Sequence, residues 1–279
     1  MQNDKFMWDE KEKVLFKPLF DFLKKILVKT NPKILEIGAH HGQDTLRFCK
    51  TFEDLDIYCF EPCEDNCYIL NKVVSRIPSA IPEFQGSVSI IKKAVCDKHN
   101  KKSIFYRPLR TAKRTAEENS RTNSKDPMFV LKKNGWISGN IFMDEEDASK
   151  DIYCEADGCS LNKIKFHSNP SAQRGCDAPI AEEVVETITL DGWDKQQNNE
   201  FYDLAWIDVQ GGEKKVIDGA AETLKKINYV FIEHGQTMYE GALSRDETIE
   251  IMNKNGFNHY VDIDGDNILF AKQPGWEKK

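Results

Sequence analysis

Residues 33–42, KILEIGAHHG, decide the fold. Ile34, Leu35 and Ile37 form a short apolar run that stops at Gly38. Such a run, closed by glycine, reads as a buried strand, then a tight turn, then a helix from about Gln43. That order puts backbone N–H groups and a helix N-terminus at the strand's carboxyl end, where open α/β sheets bind ligands. Glu36 adds a carboxylate just before the turn. The dinucleotide fingerprint needs glycine at its first, third and sixth positions. Counted from Gly38, those positions are Gly38, His40 and Gln43, so the second and third glycines are missing.

The spacing present is acidic-x-Gly-x-x-x-Gly, carried by Glu36, Gly38 and Gly42. It resembles the first motif of Rossmann-like S-adenosylmethionine (SAM) methyltransferases. A loop for SAM has no pyrophosphate to cradle. The resemblance implies that Gly38 lets the methionine moiety approach the backbone, that Ala39 and His40 continue the loop, and that Glu36 serves the ammonium group. An ordinary βα turn of some other α/β protein is the competing reading.

With 279 residues and 40% hydrophobic content, the chain can bury a sizeable core. We read it as one domain over residues 1–279, with an insertion over 107–183. No apolar run is long enough to span a bilayer, and the N-terminus, MQNDKFMWDEKEK, lacks the apolar core of a secretory signal. A formal charge of −7 gives no global attraction to nucleic acid. Eight cysteines include no CxxC pair, so reduced thiols and a cytoplasmic location are expected. Cys63 and Cys67 are spaced for one helix face, but no second pair answers them. Cys154, Cys159, His167 and Cys176 match no common zinc spacing.

In chain order, residues 9–29 carry apolar residues at helical spacing, including Val14 and Leu15. Residues 56–60, DIYCF, read as a second strand ending at Glu61, about twenty residues beyond the turn. A carboxylate there can accept from ribose hydroxyls; a helix N-terminal acid is the alternative. Residues 87–95 read as a third strand ending near Asp97, which could meet an adenine amino group or cap a turn. Residues 102–106 read as an added strand in a hairpin. Residues 107–183 are polar, basic at first and then acidic. A structureless loop of that length is improbable in a compact domain, so we expect an insertion that covers the site. ETITL at 186–190 reads as a strand before an Asp191-Gly192 turn. Residues 203–209, DLAWIDV, form a fourth strand delivering Asp208, and Gln210, Gly211 and Gly212 turn the chain into a helix over about 213–227. Residues 228–233 form a fifth strand that ends in Glu233 and His234. Two terminal strands flank DIDGDN, which has its glycine one place early for a calcium loop and reads as a hairpin turn.

TITLDGW, DLAWIDVQGGEKKVIDGAAETLKK, YVFIEHG and KNGF, with ILEIGAHHG and CFEP before them, resemble FkbM-type SAM-dependent methyltransferases. Asp208, Gln210, Gly211 and Glu213 match that family's aspartate and Gln-Gly-x-Glu turn. Glu36 and His40 stand where the family usually has aspartate and asparagine. The resemblance covers residues 33–106 and 184–271. It implies a seven-stranded, mostly parallel α/β sheet with its seventh strand antiparallel, helices on both faces, and O-methylation of a sugar, glycolipid or small metabolite; the long insertion expected after the third strand lies outside the resemblance.

Methylating a hydroxyl takes in-line approach and removal of its proton. Asp208, Glu233 and His234 are the candidate bases. Glu213 and Gln210 are candidate acceptor contacts. Glu36, Gly38, Ala39, His40, Gly42, Glu61 and Asp97 are the candidate SAM contacts. Asp208, Glu233 and His234 could also hold magnesium, but the sequence does not separate that from metal-free catalysis, and no metal site is expected. The competing functions are an RNA or protein methyltransferase, supported only by the basic stretch after Lys98, and a non-catalytic SAM-binding interaction module. Oligomeric state is left open.

Overall fold

The structure, a computed structural model, describes residues 13–14, 16–108, 136–137, 141–142, 159–164, 180–197, 201–235 and 239–276. Helix α1 (Lys17–Ile26) opens with proline in its first turn and buries Phe20, Leu23 and Ile26. It ends at Ile26, before the residue 29 that the sequence pattern suggested, and residues 9–12 of that pattern lie outside the described residues. Val14 is 73% exposed and lies outside the buried stripe.

Strand β1 (Lys33–Ile37) leads through the glycine turn into α2 (Gln43–Thr51). Strand β2 (Asp56–Phe60), helix α3 (Glu64–Ala80) and strand β3 (Ser87–Ile91) follow. Strand β4 (Ala94–Val95) is separate, and β5 is Lys101–Pro108. Two short strands, β6 (Trp136–Ile137) and β7 (Ile141–Phe142), pair with each other. Then come β8 (Ile180–Ile188), α4 (Leu190–Asp194), β9 (Tyr202–Ile207) and α5 (Glu213–Asp218). The chain closes with β10 (Ile227–Glu233), α6 (Arg245–Lys254), β11 (His259–Asp262) and β12 (Asn267–Ala271).

The main sheet has the order β11-β12-β10-β9-β1-β2-β3. Only β12 runs antiparallel to its neighbours. Chain order therefore reverses direction at β1, whose neighbours are β2 and β9. At that switch point the loops leaving adjacent strands diverge and open a crevice. Apolar clusters fill both faces, one around Ile37, Ile207 and Ile232, the other around Ile34, Phe48 and Trp206. In the second cluster Trp206 stacks on Phe231 with ring centroids 3.6 Å apart.

Four expectations are corrected here. The third strand is two strands: β3 ends at Ile91, and Ala94–Val95 joins a separate sheet of order β4-β8-β5. The added strand is not half of a local hairpin; β5 pairs antiparallel with β8, on the far side of the insertion. The ends of the insertion are thus clamped together by one ladder. Finally, Asp191 and Gly192 lie in helix α4, which Thr189 caps through its hydroxyl. The expected long helix after Gly212 stops at Gly219, where a side chain would collide with the Cys96 carbonyl, and a 3-10 turn at Thr223–Lys226 completes the crossover. None of the described helices is long and apolar enough to cross a membrane.

Candidate active site

A cavity of about 720 Å³, including its open mouth, lies at the carboxyl ends of β1, β2 and β9. Gly38 and His40, Phe60 and Glu61, and Asp208 and Gln210 line it from those three loops. Lys93 and Val95 close one side, and Cys159 and Leu161 of the insertion close another.

The glycine turn is set by its neighbours. Gly38 adopts φ 97°, a conformation that favours glycine. A β-carbon there would run into the backbone carbonyl oxygen of Asp208. The N–H groups of Gly38 and Ala39 both donate to the Phe60 carbonyl at 3.0 Å. His40, also at positive φ, donates its N–H to Glu61 at 2.9 Å. Glu61 accepts further from the Cys63 N–H at 2.9 Å and the Asn66 amide at 3.1 Å. One carboxylate thereby joins the first loop to the start of α3. Burial pushes its pKa up to about 7 against three donors that favour the ionised form.

The second loop follows β9. The Asp208 N–H donates to the Ile37 carbonyl at 3.0 Å, which locks the two loops together. Gln210 adopts φ 54°, and its amide nitrogen donates to Asp208 at 2.8 Å and to Glu233 at 3.0 Å. β10 pairs with β9 with Ile232 beside Ile207, so Glu233 stands level with Asp208. The Tyr239 hydroxyl donates to the Gln210 carbonyl oxygen at 3.3 Å.

Segment 159–164 reaches over this turn. Asn162 donates its amide to the Gly211 carbonyl. Lys215 of α5 donates to the Leu161 carbonyl at 2.9 Å, and Ile164 bridges to Tyr239.

The structure does not bring every predicted residue to the cavity. Glu36 faces away from it, because side chains alternate along β1 and Ile37 takes the cavity side. Glu36 is buried, accepting from the Thr45 hydroxyl at 2.6 Å and the Cys59 thiol at 3.2 Å, and burial raises its pKa to about 8. Ala39 packs into the core, and Gly42 sits against Leu70 at the start of α2. Asp97 is exposed and outside the lining, since it follows β4 in the second sheet. Glu213 turns inward and accepts from the Gly211 N–H at 3.0 Å, holding the turn from within. Burial raises it to about 7. His234 also lies outside the lining; burial lowers its pKa, and the charges acting on it include Asp262, Asp264 and Asp266 of the terminal hairpin and Arg245 of α6. Glu233 meets Asp208 through the Gln210 amide.

Asn66, Tyr239, Lys93 and Asn162 escaped the sequence reading. Tyr239 and Asn162 act through long-range contacts, whereas Asn66, in the first turn of α3 just beyond Glu61, carried a local cue. Among the described residues no three His, Cys, Asp or Glu side chains converge on a common point. The Cys63 and Cys67 thiols are buried, and burial pushes them up to about 11 and about 12, away from the thiolate a metal needs. Cys154, His167 and Cys176 lie outside the described residues.

The family described as "Methyltransferase FkbM domain" matches residues 36–258. The chain belongs to the FkbM methyltransferase family. It is a methyltransferase of a SAM-dependent family, and the matched span ends just before β11. A protein named 2-O-methyltransferase NoeI, from Sinorhizobium fredii (strain NBRC 101917 / NGR234), is 27% identical over 227 residues. That alignment covers 78% of this chain and 70% of the relative. Among solved structures, a methyltransferase FkbM from Methylobacillus flagellatus KT aligns at TM-score 0.41 and 10% identity, over 87% of this chain and 44% of that one. The N-terminal domain of EvdMO1, solved in the presence of SAH and D-fucose, aligns at TM-score 0.36 and 8% identity, over 91% of this chain and 79% of that one. The chain thus spans less than half the length of the first of these structures. The fold assignment stands on the strand order.

Proposed function

We propose that this FkbM-family methyltransferase is a SAM-dependent O-methyltransferase whose acceptor is a hydroxyl of a sugar, glycolipid or small metabolite. The observation that carries the reading is Asp208: a carboxylate in the cavity wall at the end of the central strand β9. The relative named as a 2-O-methyltransferase supports oxygen as the methylated atom.

The cavity suits SAM in its chemistry. Phe60, Val95 and Phe105 give it apolar walls for an aromatic base, and Glu61 is a carboxylate with acceptor capacity for ribose hydroxyls. Gly38 and His40 supply loop backbone beside it. When bound, SAM supplies an electrophilic methyl group on a sulfonium. Asp208 would accept the proton of the acceptor hydroxyl and so raise the nucleophilicity of that oxygen. Leu161 and Cys159 close the cavity from the insertion side and exclude water.

The test joins calorimetric titration of SAM and S-adenosylhomocysteine with a methyl-labelled SAM assay over free and lipid-linked oligosaccharides, RNA and protein. A methyl ether on a ring hydroxyl supports the reading. Label in RNA or protein, or no SAM binding, overturns it. Turnover that survives a chelator would exclude magnesium at Asp208.

A further inference from the structure

We propose that Gln210 is a positioning residue, whose side-chain amide, oriented by Tyr239, ties the Asp208 carboxylate to Glu233 and aims it into the cavity. This rests on the reading of Asp208 as the group that faces the acceptor. The amide has two N–H donors and one carbonyl. Its nitrogen reaches both carboxylates, at 2.8 and 3.0 Å, while its oxygen accepts from Tyr239. Turned over, the amide would present its oxygen to two carboxylates. Glu233 and Tyr239 therefore fix which way it points.

The members of this set have different stations. Asp208 and Gln210 are in the cavity wall; Glu233 and Tyr239 are outside it. Tyr239 is fully buried and wedged against the turn, where a β-carbon on Gly211 would come within 2.6 Å of the Tyr239 β-carbon. Its backbone bridges to Ile164. It is a rigid anchor for a hydroxyl. Gln210 itself holds φ 54°, a conformation glycine adopts more cheaply than glutamine. The side chain contributes something that offsets that strain. The other titratable groups acting on this set are Glu213 and Cys159, with Glu61 and Lys93 lining the same cavity.

Three variants separate positioning from mere turn formation. Gln210→Gly keeps the positive φ and removes the amide. Gln210→Glu keeps the size and replaces the donor with a third carboxylate. Tyr239→Phe removes only the hydroxyl that orients the amide. Positioning predicts that Gln210→Gly melts no lower than the native protein and binds SAM within a few-fold, while kcat falls about 10²-fold. The acid limb of kcat should move to higher pH, because Asp208 loses a donor that favours its ionised form. Gln210→Glu should lose more, and Tyr239→Phe should lose less and move the limb the same way. Carbon-13 titration of the Asp208 carboxyl needs no acceptor: its midpoint should rise in Gln210→Gly. An unchanged midpoint, or kcat kept by Gln210→Glu, overturns the proposal. If the native protein methylates no hydroxyl, the functional reading fails, and the carboxyl titration still decides the bridge.

Discussion

A β-carbon on Gly38 would collide with the carbonyl of Asp208, so this glycine serves the protein's own backbone as well as any ligand. The motif's spacing pointed to a ligand approaching Gly38. The structure shows that the first obligation is to the turn after β9. Gly38→Ala should therefore lower stability by at least about 2 kcal/mol, and weaken SAM binding by displacing Asp208. Thermal melts and calorimetry check this; a native melting temperature would contradict it. Asp208→Asn keeps shape and removes the proposed base. It should cut methyl transfer by about 10²-fold or more, with SAM affinity within a few-fold of native. A large loss of SAM affinity would instead make Asp208 a cofactor ligand. Glu36 and His234 show the limit of reading residues one at a time. Glu36 stands one residue before the end of β1 and His234 one residue after the end of β10, but one position along a strand reverses the face, and neither side chain reaches the cavity lining.

At the scale of elements, the main sheet was legible because each of its strands is a short apolar run punctuated by glycine, proline or acid. The second sheet was not. β5 and β8 pair across more than seventy intervening residues, and nothing local in either strand names the other. The same holds for the strap at 159–164, which lies in a polar stretch without periodicity. Its role comes from long-range contacts, among them Asn162 to Gly211, Lys215 to Leu161, and Ile164 to Tyr239. These couple the insertion to the turn that carries Asp208 and Gln210. Asn162→Ala removes the donor to the buried Gly211 carbonyl and should cost about 1–3 kcal/mol. Hydrogen exchange should rise at the strap and at Gly211 together, while α6 keeps its protection. Exchange confined to the strap would show that the two segments are not coupled.

At the scale of the whole molecule, the sheet's carboxyl end is held by buried carboxyls. Glu36 joins β1 to α2 and β2, Glu61 joins the first loop to α3, and Glu213 holds the turn after β9. Burial raises them to about 8, about 7 and about 7. Each keeps its proton in the folded chain at pH values where the unfolded chain has already lost it. Their contribution to stability therefore declines as pH rises from about 4.5 towards about 8. His41 opposes this. Burial lowers its pKa well below 6.5, so its contribution declines as pH falls below that value. The native melting curve sums both trends, and a variant isolates one. Glu36→Gln keeps an oxygen to accept from Thr45 and removes the ionisation. Its melting temperature relative to native should be near constant below about pH 4.5, and should climb from there towards pH 8, because the unfolded native chain ionises Glu36 while the folded chain keeps it protonated in the core. The climb should end near pH 8, where folded and unfolded Glu36 are both ionised. A difference that stays flat across this range would mean that Glu36 titrates as an ordinary carboxyl, and that its burial between α2 and β2 is relieved by water.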